Sequence, residues 1–309
     1  PGPVTPLFLD LPLLTGDEVP HAPHIAVLAN PWPGTAAVYS SAEDADYRLN
    51  TLIAARSTVG VTQTPLLPAP MGRIDRGDGL FVRMRFGTLE SVGDTALLNG
   101  GNLCAIGDGT PGGWELFQFR DAELVAPDTY ILRHRLRGQL GTERAGGGVW
   151  PAGSLVVRLN GVPQQIELTE AQRGQALHYR IGPGGRPVDD PSFAHAILAF
   201  DGVGLRPYAP VHLRFMEAQG DLTVTWIRRT RIGGDRWDTP EVPLAEESER
   251  YLLRVMRGAQ VLREVTLERS DWVYQQAARV ADGADAGKRI EVAQLSASFG
   301  AGTFATRDL

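Results

Sequence analysis

WIRRTRIGGDRWDTPEVPLAEESERYLLRV, residues Trp226 to Val255, is the stretch whose reading decides the fold. Into it run Leu222, Val224 and Trp226, alternating with polar residues in the period-two pattern of a strand with one buried face. Arg228, Arg229 and Arg231 form a cluster, a turn-rich segment with Pro240 and Pro243 follows, and a second apolar stretch runs from Tyr251 to Val255. Strand, loop and strand around a buried tryptophan describe a β-sandwich. RPYAPVHLRF, LREVTLE, WVYQQA and RIEVAQLSA place further short strands between Arg206 and the C-terminal end, with turn residues between them.

The same texture extends back to the start. Thirty-six glycines and 22 prolines punctuate short apolar runs, which predicts an all-β chain of consecutive sandwich or barrel-like domains. His24 to Leu28, Ala36 to Tyr39, Val59 to Gln63 and Leu80 to Phe86 read as strands. In the last of these Val82, Met84 and Phe86 share one face, while Arg83 and Arg85 take the other. Trp114 to Phe119, Thr129 to Arg137, Leu155 to Leu159, Gln165 to Leu168 and Ala176 to Ile181 continue the set, and Thr169 to Arg173 reads as one helical turn capped by Thr169. These segments divide the chain, on this reading, into domains over 1–92, 93–205 and 206–309.

Composition excludes several classes of function. A net charge of −6 gives no basic surface for nucleic acid. No apolar stretch is long enough to cross a bilayer as a helix. The single cysteine, Cys104, leaves no intramolecular disulfide and sits in an apolar run as a small core residue rather than a nucleophile. Lys288 is the one lysine among 30 basic residues, a bias read as genomic rather than as a selected site.

Candidate chemistry is sparse. His21 and His24 are the one close histidine pair, and Pro23 between them gives a rigid turn, so no metal site and no cofactor are expected. GDGTPGG at 107–113 lacks the lysine and hydroxyl residue of a phosphate loop and reads as a turn. Asp189/Asp190 read as a turn start and Asp44/Asp46 as a solvated loop, rather than as a calcium or glycosidase pair. No serine has a credible base beside it, so the chain is read as non-enzymatic. In the strand Ile131 to Arg137, period two puts Arg133, Arg135 and Arg137 on one face. With Arg228, Arg229 and Arg231 they either hold anionic polymers, pair with Glu115, Asp121 or Glu123 of neighbouring strands, or meet another subunit. Trp226 and Trp114 lie in strands and belong to a core, whereas Trp32 and Trp150 lie in turns and are the candidates for a partner or glycan surface. Trp237 and Trp272 complete the tryptophans.

Four stretches carry a resemblance to a known family: Trp226 to Val255, LLNGGNLCAIGDGTPGGWELFQFRDAELVAPDTY at Leu97 to Tyr130, LRHRLRGQLGTE at Leu132 to Glu143, and LDLPLLTGDEVPHAPHIAVLANPWPG at Leu9 to Gly34. Together they resemble the C-terminal part of the large tail-tip ("host specificity", baseplate) protein of gene transfer agents and related phage tails. The last hundred residues are similar to a fibronectin type III module, although the tyrosine usual at the start of its late strand is replaced by the Arg289–Ile290 region. The resemblance implies a fragment of a longer polypeptide and a structural role in a tail tip made in the bacterial cytoplasm and acting at the host cell surface. Its implied partners are other tail and baseplate proteins and two further copies of the chain in a homotrimer. A carbohydrate-binding module for bacterial surface polysaccharide is the alternative. The hydrolase-like barrel of such proteins lies N-terminal to this region, so no catalytic residue carries over.

Overall fold

The computed structural model describes residues 3–143, 148–234, 242–283 and 285–309. It is all-β, with two compact units, Pro1–Gly204 and Leu205–Leu309.

The strands of the first unit are β1 (Val4–Leu9), β2 (His24–Ala29), β3 (Ala36–Ser41), β4 (Arg48–Ile53), β5 (Val59–Thr62), β6 (Ile74–Asp75), β7 (Leu80–Phe86), β8 (Leu103–Gly107), β9 (Trp114–Ala126), β10 (Thr129–Gln139), β11 (Leu155–Arg158), β12 (Gln164–Gln165), β13 (Leu177–Pro183) and β14 (Ala194–Leu198). A short helix, α1 (Asp94–Leu98), precedes β8. Six of the strands close on themselves in the order β10-β7-β5-β11-β8-β9, with β9 pairing back to β10 and every pairing antiparallel. Closure leaves no unpaired strand edge in the ring. Inside lie Leu80, Val82, Met84, Cys104, Ile106, Phe117, Phe119, Tyr130, Leu132, Trp150 and Val156. The alternation expected in β7 holds for Val82 and Met84 against exposed Arg83 and Arg85, while Phe86 is half-buried under the Arg56 guanidinium, 3.5 Å from its ring centre.

The first residues of β9 are buried on both faces because the barrel wall is itself covered. Phe117 and Phe119 point inward, whereas Trp114 and Leu116 join Leu9, Leu11, Ala26, Leu28, Val59, Ala105 and Val157 in a second core outside the ring. That core lies against the sheet β1-β2-β12. The strand β2 is buried throughout: Ala26 and Leu28 face the barrel side, and Ile25, Val27 and Ala29 face a third core shared with Val38, Ile53, Tyr179 and Ile181 of the sheet β14-β13-β3-β4. A strand sandwiched between two layers needs side chains that can be buried on both faces, and HIAVLA supplies five apolar residues after the buried His24.

This layering corrects the expected boundary at 92/93. The ring takes β5 and β7 from one side of it and β8 to β11 from the other, and β13 and β14 pair into the sheet of β3 and β4. Antiparallel pairing between distant strands, rather than chain order, defines the unit. The turn at Glu170–Gln172 is a 3-10 turn with Thr169 as its N-cap, and the Gln172 side chain accepts the Thr169 backbone N–H at 3.0 Å. Gly60 on β5 shows how tightly the ring interior is filled. A Cβ there would lie 2.7 Å from Val82 Cγ1, 2.8 Å from Met84 Sδ and 3.1 Å from the Arg83 carbonyl oxygen. Gly60→Ala is therefore expected to destabilise the unit by about 1–3 kcal/mol in urea denaturation, as overpacking of a filled core does; an unchanged midpoint would show the interior to be looser than this.

The second unit holds β15 (Val211–Ala218), β16 (Asp221–Ile227), β17 (Tyr251–Arg257), β18 (Gln260–Leu267), β19 (Asp271–Tyr274), a short helix α2 (Gln276–Ala281), β20 (Lys288–Ser296), β21 (Gly300–Ala301) and β22 (Ala305–Asp308). One sheet has the order β15-β16-β19; in the other, β17 pairs with β18 and β20, and β20 with β21 and β22. Their facing residues form one core of Leu222, Val224, Trp226 and Tyr274 against Tyr251, Leu253, Val255, Ile290 and Val292. Trp226 packs edge-on against Tyr251 with ring centres 5.2 Å apart, so the tryptophan at the head of the deciding stretch is core.

Candidate functional site

The arginine stripe of β10 is not a face. His134 takes a positive φ of 51°, and of the three arginines only Arg133 is exposed, while Arg135 and Arg137 are buried. Arg135 places Nε and Nη2 on Asp75 Oδ2 at 2.9 and 2.7 Å and donates through Nη1 to the carbonyls of Asp78 and Leu132. Arg137 meets Glu115 fork to fork, Nε to Oε1 at 2.7 Å and Nη2 to Oε2 at 2.9 Å, with Nη1 on the Leu67 carbonyl. Trp150 Nε1 and the Gly138 amide also donate to Glu115, at 2.7 and 3.1 Å. Of the three roles open to these arginines, Arg137 takes the pairing with Glu115, in a buried rather than a solvated setting. Asp121 is taken by Arg120 and His134 instead of Arg133.

Trp150, expected at a surface, is 4 % exposed and packs inside the barrel, bridged to Leu66 through its backbone. Its position before Pro151 reads as a turn locally, but the indole has a buried carboxylate to satisfy its N–H. Trp32 is half-buried against the β2/β3 core and donates to the Gly34 carbonyl at 2.9 Å. Trp114 is core as expected, and Trp272 is half-buried and stacks on Tyr274. Trp237 lies outside the described residues.

The second arginine cluster fastens a loop. Arg228 donates to the carbonyls of Pro243 and Val242 at 2.9 and 2.6 Å, Arg231 pairs with Glu246 at 2.8 Å and reaches the Ala245 carbonyl, and Arg229 lies 5.1 Å from the Tyr208 ring centre. Guanidinium groups so engaged hold the chain in place through their fixed fork of donors.

The remaining candidates settle similarly. Burial pushes the Cys104 thiol up to about 12, so it is not a nucleophile at neutral pH. Asp190 starts a turn, accepting from the Ser192 hydroxyl and amide at 2.6 and 2.9 Å and from Arg186, and these bonds pull its carboxyl down to about 2. In GDGTPGG, Asp108 accepts from the Thr110 amide and hydroxyl, which closes the loop on itself.

One cluster went unread in the sequence. Among the described residues, Asp44, His178 and His195 are the three metal-ligating side chains whose ligand atoms converge, all within 4.8 Å of one another. The β13/β14 register sets Arg180 opposite His195 and His178 opposite Ile197, so the two histidines are diagonal neighbours on one face. Their rings stack with centres 5.3 Å apart and His178 Nδ1 3.1 Å from His195 Nε2. Asp44, between β3 and β4, accepts from the Tyr47 hydroxyl at 2.6 Å and from Arg180 at 3.0 Å, and these two bonds hold its carboxyl below the usual range. Proximity in sequence pairs Asp44 with Asp46 and His21 with His24. His21 instead bonds the Leu168 carbonyl oxygen, and His24 is buried.

Fold and geometry together define an all-β protein whose first unit contains a closed six-stranded antiparallel barrel, with most of its candidate arginines absorbed into structure. Residues 57–157 match the model of the family described as Rcc01698-like, C-terminal. The match opens just before β5 and ends within β11, so it coincides with the barrel and includes Leu97 to Tyr130 and Leu132 to Glu143, two of the stretches that carried the resemblance. Leu9 to Gly34 and Trp226 to Val255 lie outside it. No curated protein matches the chain.

Proposed function

We propose that the chain is a non-enzymatic structural component of a phage-like tail tip of the gene transfer agent kind, contributing to assembly and host-cell attachment. The observation that carries this reading is the family match across the whole barrel, since the Rcc01698 family is one of gene transfer agent proteins. A closed barrel covered by two further layers, and a separate two-sheet unit whose strand pattern supports the fibronectin type III-like reading, suit a structural component that docks through loops. Its partners on this reading are other tail and baseplate proteins and two further copies of itself in a trimer, in a particle that acts outside the cell at the recipient surface.

Glycan recognition through tryptophans and arginines loses most of its support, because Trp150, Arg135 and Arg137 are buried and Arg228 and Arg231 are bound to backbone and Glu246. Arg229, over the Tyr208 ring, is likewise engaged, and half-buried Trp32 and exposed Arg133 are the candidates that remain. The reading is tested on particles whose tail protein lacks this region: incomplete tail tips in electron micrographs and lost gene transfer are expected, and normal tips would sink it. Labelled chain added to recipient cells with and without their surface polysaccharide tests the rival, for which polysaccharide-dependent binding abolished by Trp32→Ala would be required.

A further inference from the structure

We propose that Asp44, His178 and His195 form a binding site for a divalent transition metal ion of the zinc class, independently of the tail-tip reading. In tetrahedral zinc sites metal–nitrogen bonds of about 2.0–2.1 Å place two ligating nitrogens about 3.3 Å apart. His178 Nδ1 and His195 Nε2 are 3.1 Å apart, nearly at that spacing. The third donor, Asp44 Oδ1, is 3.9 Å from His195 Nε2, and the three ligand atoms lie within 4.8 Å of one another, so an inward shift of about 0.5–1.5 Å completes an N,N,O set. Asp44 sits on an exposed turn with half its side chain in solvent, and the shift has to carry along or loosen the bonds that Tyr47 and Arg180 make to the same oxygen.

The rest of the cluster resembles the surroundings of a metal site. Ligating carboxylates are oriented by outer hydrogen bonds, and Asp44 has two, from the Tyr47 hydroxyl and from Arg180. Without an ion, the imidazole nitrogens can face each other at this distance only when one of them carries the proton; an ion bonded to both at about 2.0–2.1 Å releases that proton to solvent and lies to one side of the line joining them. Two imidazoles and a carboxylate with no thiolate favour zinc, nickel, cobalt or copper over calcium or magnesium. The positive charge of Arg180, whose guanidinium also lies 5.0 Å from the Tyr47 ring, opposes a dication and limits the affinity without removing a ligand. Because His195 and Asp44 are exposed, the fourth position opens to water.

The test is titration of the purified chain with Zn²⁺ by calorimetry and with Co²⁺ by visible absorption near neutral pH. One equivalent bound, with the d–d bands of four-coordinate cobalt, is expected. His178→Ala, His195→Ala and Asp44→Asn should each weaken binding by at least roughly the tenfold that losing an outer partner of a ligand already costs, while His21→Ala leaves it unchanged. These side chains are at the surface, and circular dichroism verifies that the variants fold. Side-chain nitrogen resonances of the unmodified chain supply a measurement that needs no variant: His178 and His195 should shift on adding Zn²⁺, and His21, His24, His134 and His212 should not. No binding by the unmodified chain, binding that survives both histidine substitutions, or shifts confined to the other histidines would overturn the site.

Discussion

Glu115→Ala is expected to destabilise the barrel unit by about 3–5 kcal/mol, the range for breaking a buried ion pair by removing one partner. Glu115 and Arg137 are both about 4 % exposed at their side chains. Removing the carboxylate strands the guanidinium with the Leu67 carbonyl as its remaining acceptor here, and it also leaves Trp150 Nε1 and the Gly138 amide without theirs. A buried charge without its counter-charge and the loss of two further hydrogen bonds act in the same direction. Glu115→Gln keeps one carbonyl acceptor and should lose less. Replacing Glu115 and Arg137 together by apolar residues of similar volume should recover much of the loss, because the desolvation of both charges then disappears. Urea denaturation followed by tryptophan fluorescence reads the effect, provided the transitions of the two units are resolved first. A loss under about 1 kcal/mol for Glu115→Ala would mean that water reaches the pair, contrary to its burial.

The second large effect is expected at Lys288. Its ammonium is wholly buried and donates to the carbonyls of Gly283 and Arg279 near the end of α2, lies 3.3 Å from Asp285 Oδ1 and sits 5.8 Å from the Tyr274 ring centre. Lys288→Met keeps the stem but leaves those acceptors unpaired, and should cost about 2–3 kcal/mol, the scale of hydrogen bonds made by a charged group. Arg279, which also pairs with Asp285, keeps that carboxylate from being stranded and bounds the loss. Lys288→Arg should not restore stability, since a planar guanidinium does not fit a site shaped to a compact ammonium on a narrow stem. Full recovery by arginine would show that charge alone matters there. The lone lysine, read from composition as a genomic accident, thus has a structural reason to differ from the arginines around it.

Much of the fold is legible in local pattern. The alternation in β7, the strand from His24 to Leu28, the glycine and proline punctuation and the Thr169 cap are short-range signals, because strand periodicity and turn chemistry act over a few residues. Trp226 as core follows from the same periodicity. The charged residues were harder to place. Period two put Arg133, Arg135 and Arg137 together, but the left-handed backbone at His134 breaks the alternation, and partners at Asp75 and Glu115 allow two of the three inside. Proline beside Trp150 signals a turn, whereas the burial of its indole depends on a carboxylate 35 residues away.

By itself, then, the sequence determined the all-β class, the positions of most strands, the absence of any disulfide within the chain and the family resemblance over the barrel stretch. Only the tertiary structure decided that 1–92 and 93–205 interleave in one layered unit, that six strands close a ring, which arginines are buried, and that Asp44 meets His178 and His195. The reason is range: a strand is encoded by neighbours two residues apart, while closure, ion pairing and ligand convergence depend on backbone registers that join segments distant in the chain.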